Sequence, residues 1–286
     1  MKFHMLSLTT LERHPRAISQ IIQWPVPLAR KSIQLEFQIC DDGFYVLKKG
    51  GHQDDSEQIC GWQWTTGRLA VVAKPPHSSS FEALILLTPS SFIVPTVVTH
   101  INGDIESLEG EIDVDSVLSW THHLRVYAFP PLANHTPDPD SPEPHAPSHT
   151  AMHVATVDLP KFFTALNQNM PPPRLTLRCD PPPRNTFPTH PSSASHGPPP
   201  FVPDPRTGIF VVEFYCQHPD PEVEDPHYTM IFLKETLLRL LPPSSSPLLS
   251  MAFPRPAPIV AWETIAPEVR LFDDLHPQSE YTLLAD

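Results

Sequence analysis

The sequence predicts an all-β fold, on three observations. Ser32–Cys40, SIQLEFQIC, alternates apolar and polar residues, which is the period of a half-buried strand. Proline occurs 39 times and glycine 9 times in 286 residues, so helices should be few and short, because proline ends them. Strand-like runs recur at short spacing between polar turns, the pattern of a sandwich or a propeller.

Taken in order, Met1–Gln23 is mixed, and Leu11–Gln23 fits a short helix broken at Pro15. Trp24-Pro25-Val26-Pro27 is extended, since residues before proline avoid the helical region. In Ser32–Cys40, Ile33, Leu35, Phe37 and Ile39 share one face and Gln34, Glu36 and Gln38 the other. Asp41-Asp42-Gly43 is the turn and Phe44–Leu47 the returning strand. Lys48–Glu57 reads as a polar loop. Gln58–Ala73 is a hairpin, with Ile59, Gly61 and Gln63 facing one way and Cys60, Trp62 and Trp64 the other. Its turn is Thr65-Thr66-Gly67, where Gly67 is free to take a positive φ.

Phe81–Leu87 is apolar enough for an inner strand. Pro89-Ser90 turns it, and Ser91–Val98 pairs back. Asn102–Asp115 is an acidic surface insertion, and LRVYAF within Leu118–Phe129 is a further strand. Two Pro-rich stretches, 130–150 and 180–205, cannot bury enough apolar surface to offset their ordering entropy, and they read as disordered loops. Between them, Met152–Leu159 and Arg174–Cys179 are strand-like. Gly208–Gln217 and Tyr228–Leu233 are strands, Lys234–Leu241 is a short amphipathic helix stopped by Pro242-Pro243, and Pro258–Trp262, Val269–Phe272 and Tyr281–Leu284 close the chain. The organisation expected is an N-terminal extension, 1–31, and a single domain, 32–286, with the two insertions as loops.

Bulk chemistry narrows the function. The formal net charge is −13, and no basic patch offsets it, so nucleic acid is not an expected partner. Lys48-Lys49 and Arg30-Lys31 read as solvated turns. No 18-residue apolar run and no signal-peptide pattern appears, so a membrane is not expected either. Cys40, Cys60, Cys179 and Cys216 lack zinc or redox spacing. Most sit in apolar runs as small hydrophobes, which suits a cytoplasmic or nuclear home.

Candidate sites are sparse. His122-His123 in a strand would point to opposite faces and could not easily share one ion. His218, Asp220, Asp225 and His227 cluster, but without fixed ligand spacing, and the bland reading is a polar loop. The acidic run Asp104, Glu106, Glu109, Glu111, Asp113 and Asp115 lacks the register of a calcium loop. Pro200 and Pro203 have PxxP spacing within a Pro-rich run where chance matches are frequent. Trp62, Trp64, Trp120 and Trp262 are core residues or binding anchors, with the core expected for Trp64 and Trp262. No nucleophile elbow, H-E-x-x-H or P-loop is present, although a Ser-His-Asp set built from distant positions would leave no sequence trace. No catalytic, cofactor or metal residue is therefore assigned.

Gly61-Trp62-Gln63-Trp64-Thr65-Thr66-Gly67 resembles the W-x-T-G hairpin of propeller blades in fungal F-box-type proteins. Leu124-Arg125-Val126-Tyr127 resembles their L-x-V-Y strand. Tyr228–Leu241, followed by Val260-Ala261-Trp262-Glu263 and Pro267–Phe272, is similar to their C-terminal segment. The resemblance runs from about residue 32 onward. It implies an irregular or incomplete β-propeller-like domain of at most about five blades' worth of chain. It also implies protein–protein recognition, as the substrate-binding part of a ubiquitin ligase receptor or a degenerate relative. The helical F-box is not visible in Met1–Ile33, so a Skp-type adaptor is expected only if that module lies upstream. The contrasting expectation is a hydrolase or metal-dependent enzyme on a β scaffold. A loop-rimmed face would favour recognition, whereas a pocket of converging histidines and carboxylates would favour the enzyme.

Overall fold

In this computed structural model the described residues are 2–7, 10–24, 34–49, 57–76, 79–101, 118–130, 149–160, 174–180, 208–215, 227–243, 257–273 and 280–281. They form mainly antiparallel sheets with few helical residues, as the all-β reading requires.

The N-terminal segment is not helical. β1 (Lys2–His4) pairs with β2 (Ile21–Gln23). Pro15 breaks the intervening chain, and Leu11 lies at φ 57°. Its apolar residues follow a period of two at the end: Ile22 and Trp24 are buried, while Leu11, Ile18 and Ile21 are exposed. The extension is therefore a cover laid on the first sheet.

That sheet contains β3 (Gln34–Cys40), β4 (Gly43–Lys49), β5 (Gln58–Gln63) and β6 (Arg68–Ala73). Lys48 and Lys49 correct the expected solvated turn, because both belong to β4 and Lys48 is buried. Every residue of β5 is buried, because both faces are covered. Cys60 and Trp62 pack outward with Ile22, Trp24, Phe44 and Leu69. Ile59 packs inward with Tyr45, Leu47 and Val71. Tyr45 lies opposite Gly61, and a Cβ at Gly61 would stand 2.6 Å from the tyrosine ring. Only glycine admits that ring, whose hydroxyl donates to Pro89 O at 2.8 Å. Gly67 takes φ 77° in the expected turn.

The second sheet comprises β7 (Ser79–Phe81), β8 (Ile85–Thr88), β9 (Ser91–Ile101) and β10 (Leu118–Ala128). The chain then adds β11 (His149–Thr150) in parallel to β6 of the first sheet and returns to the second as β12 (Met152–Asp158). His149 and Thr150, expected within a disordered insertion, are thus strand. Pro95 sits inside β9, where β7 gives way to β8. Its carbonyl accepts from Glu82 N at 3.0 Å, so its missing N–H faces the same gap and breaks no ladder bond. The sheet is apolar on both faces. Leu84, Leu86, Phe92, Val94 and Tyr127 meet the first sheet. Ile85, Leu87, Ile93, Leu124 and Val126 meet the third. This double burial explains the unbroken apolar run at 83–87.

The third sheet holds β13 (Arg174–Asp180), β14 (Ile209–Tyr215) and β15 (His227–Leu233), the last followed by α1 (Lys234–Leu238). β16 (Ile259–Val260) returns to β12 of the second sheet, in parallel. α2 (Trp262–Ile265) leads to β17 (Val269–Asp273) and β18 (Glu280–Tyr281), which complete the third sheet. β18 joins β17, and among the described residues it closes no ring.

β3 is a strand as expected, yet its faces are reversed. Phe37 and Ile39 are 49% and 63% exposed, while the polar residues face the second sheet. The reason is the open edge of β8. Gln38 Nε2 donates to Leu84 O at 2.6 Å, and its Oε1 accepts from Leu86 N at 3.0 Å. Glu36 Oε1 accepts from Leu84 N at 3.1 Å, and Lys49, 3.5 Å from Glu36 Oε2, donates to Glu82 O. Polar side chains thereby stand in for a missing neighbouring strand. Gln38→Leu leaves the Leu86 amide and the Leu84 carbonyl without this partner, and each such group costs about 1–3 kcal/mol if it stays buried. Urea denaturation should show a loss in that range, whereas a change below about 0.5 kcal/mol would mean that water replaces the carboxamide.

Candidate functional site

At one end of the stack, turns from the first two sheets meet the residues that follow α1. They enclose a cleft of about 590 Å³ whose lining includes Asp41, Asp42, Gln63, Ser90, Phe129 and Pro242. Each wall is fixed by the chain that makes it. Asp41 occupies the left-handed region at φ 52°, which the tight turn between Cys40 and Gly43 imposes. Trp64 holds that turn from behind: its Nε1 donates to Asp41 O and its backbone N to Asp42 O, both at 2.8 Å. Arg16 crosses the Trp64 ring at 5.4 Å and bridges Asp42 at 2.6 Å, and His14 meets the same ring edge-on at 4.9 Å. On the opposite wall Phe129 N donates to Ser90 O at 3.0 Å, and the Thr88 and Ser91 hydroxyls lie 2.6 Å apart.

Asp41 and Asp42 make this part of the wall acidic, and Arg16 already pairs with Asp42. Burial raises the Asp41 carboxyl above its ordinary value, the Asp42 charge adds to this, and Arg16 offsets part of it. A positive group beside Asp41 would counter the rise, as Arg16 already does in part. The wall also holds Cys40, whose thiol burial pushes up to about 11, so it is protonated and unreactive near neutrality. Among the described residues no histidine lines the cleft.

A second constellation lies on β10 and β12. His123 Nδ1 is 2.8 Å from Asp158 Oδ1, and its Nε2 is 2.9 Å from Thr121 Oγ1. Strand periodicity puts Thr121 and His123 on one face, and register sets Asp158 opposite His123. Further along, His153 stacks between strands on Tyr127 at 5.2 Å, and Tyr127 stacks on Phe92 at the same separation. Burial, then the Arg125 charge, lowers the His153 imidazole to about 4.

The expected candidates separate. His122 and His123 take opposite faces: His122 is buried, with its ring 6.4 Å from Phe214 of the third sheet, while His123 turns to Asp158. His227 stacks on Tyr215 at 4.2 Å. Its companions His218, Asp220 and Asp225 lie outside the described residues, as do Cys216, Arg30-Lys31, the acidic run 104–115 and Pro200 and Pro203. Among the described residues no group of three or more His, Cys, Asp or Glu could hold a metal. Cys60 is buried and Cys179 half-buried. Trp62 is buried, whereas Trp64 and Trp262 are half-buried against core clusters. Trp120 lies in β10. Sequence reasoning missed the cleft, because its walls come from turns far apart in the chain. The Asp41-Asp42 turn was its one local trace.

Comparison with family models, curated proteins and solved structures finds no match for the chain. No described helix is long and apolar enough to cross a membrane.

The His153 environment gives a pH dependence with a fixed sign. Folding holds the imidazole neutral, so the unfolded chain binds more protons as the medium acidifies. The contribution is complete above the ordinary value of 6.5 and is lost as pH falls toward about 4. Urea midpoints should therefore decline more steeply across that window for the native chain than for His153→Gln. Parallel profiles would place His153 in water.

Proposed function

We propose that this chain is a protein–protein recognition domain that holds a basic side chain of its partner in the acidic cleft. One observation carries the reading: the cleft is rimmed by turns and brings the adjacent carboxylates of Asp41 and Asp42 to its wall, with no histidine among its described lining residues. A guanidinium or ammonium entering there would gain a charge-assisted hydrogen bond in a partly desolvated site. Three mainly antiparallel sheets packed face to face, each built mostly from strands near one another in the chain, support an incomplete β-propeller-like domain as the framework. The motifs shared with fungal F-box-type proteins extend the proposal to a ubiquitin ligase substrate receptor or a degenerate relative. A Skp-type adaptor would bind only through an F-box carried elsewhere.

Affinity capture with mass spectrometry tests this. A specific protein should be retained by the native chain, weakened by salt through charge screening, and lost with Asp41→Asn/Asp42→Asn. Retention by the double variant at equal affinity would remove the cleft from recognition.

A second reading, a hydrolase, is favoured by the hydroxyl–imidazole–carboxylate line of Thr121, His123 and Asp158. In it Thr121 Oγ1 would attack an acyl carbon while His123 Nε2 takes its proton and Asp158 orients the ring; the imidazolium would then give that proton to the leaving group as its bond to the acyl carbon breaks, and water would hydrolyse the acyl-threonine. A fluorophosphonate probe should then label Thr121, and His123→Ala should abolish the labelling. An unlabelled native chain would dismiss the enzyme.

A further inference from the structure

We propose that β3 is a self-pairing edge, through which two copies of the chain join antiparallel into one continuous sheet. The proposal does not rest on the cleft.

Sheet edges offer unpaired backbone groups to other strands, and proteins blunt them with short length, charge, proline or cover. The described edges of this protein obey that rule, with β3 as the exception. β11, β16 and β18 have two residues each, and β7 has three. β8 is capped by Gln38 and Glu36. β13 carries Arg178 on the outer face, paired with Glu213 at 3.2 Å. β3 runs for seven residues, pairs among the described residues with β4 alone, and contains no proline, lysine or bulge.

Its hydrogen-bonding phase is set by the turn. Cys40 and Gly43 flank two residues and form a bonded pair. Alternation then directs the N–H and C=O of Gln38 and Glu36 toward β4, and those of Ile39, Phe37 and Leu35 away from it, to the open edge.

The occupant follows from symmetry. About Phe37, β3 reads Leu-Glu-Phe-Gln-Ile. Antiparallel pairing centred there sets Phe37 against Phe37 of the second copy and Leu35 against Ile39, apolar to apolar on the outward face. The inward face sets Glu36 against Gln38, groups already engaged with β8 and Lys49. The bonded positions, 35, 37 and 39, are the same on both copies, as an isologous contact demands. A net charge of −13 opposes association of copies in general, so a self-contact requires an uncharged strip, and the outward residues of β3 are all uncharged. Phe3, 5.7 Å from Phe37 and 5.1 Å from the buried Phe44, widens the apolar cluster on that face.

Sedimentation velocity over a concentration series, with amide exchange on the same samples, decides it. The native chain should form a dimer, and the amides of Leu35, Phe37 and Ile39 should gain protection as dimer accumulates. Phe37→Lys should sediment as a monomer with those amides exchanging rapidly. Leu233→Lys, on the outer face of the third sheet, and Asp41→Asn should remain dimeric. If Phe37→Lys fails to fold, Ile39→Lys replaces it, since that side chain is 63% exposed. A monomeric native chain at every concentration overturns the proposal, and so does a dimer that persists in the lysine variant.

Discussion

The structure depends on a side chain that behaves as backbone. β8 is held on one side by β9, and its other side faces the first sheet rather than a neighbouring strand. The Gln38 carboxamide supplies both partners that a strand would have supplied, a donor for Leu84 O and an acceptor for Leu86 N. A carboxamide carries both functions, uncharged at any pH, at the required spacing. Because these bonds are satisfied between the sheets, Leu84 and Leu86 can be fully buried beside them without leaving polar backbone in an apolar core. The cost appears on the other side of β3, where Phe37 and Ile39 meet solvent.

This exchange also marks the limit of what the sequence discloses. The period of two in 32–40 identifies a strand whichever way it faces. Which face is inward depends on the edge of β8, some 48 residues away in the chain, and no local pattern records it. Where burial is symmetric the reading is easier. The run at 83–87 is apolar throughout because both of its faces are covered, and composition alone says so. The apolar residues in 11–24 mislead for a related reason. They are spaced for a helix, but the demand for a cover over Cys60 and Trp62 is a tertiary one that only Ile22 and Trp24 meet.

The cleft and the exposed strip lie at the two consequences of one turn. Asp41 and Asp42 reverse the chain tightly, which places their carboxylates in the cleft wall. The same reversal fixes the phase of hydrogen bonding along β3, and hence which of its amides face outward. Trp64 braces that reversal through two backbone carbonyls, so a residue outside both surfaces governs the geometry of each. Neither surface was legible as such, because a cleft is a relation among turns and an open edge is a relation among strands.

The passage of the chain through β11 and β12 has a further consequence, for cooperativity. Residues 149–150 belong to the first sheet and 152–158 to the second, with Ala151 N bonded to Val72 O between them. β16 then draws the segment between β15 and β17 of the third sheet back onto β12. The sheets are therefore laced rather than merely stacked, and none can open as an independent unit without tearing ladder bonds from its neighbour. Such lacing favours a single unfolding transition over stepwise loss of sheets. It also means that the contacts completing the second sheet come late in synthesis, after about a hundred further residues have left the ribosome, which defers the cooperative unit until nearly the whole chain is available.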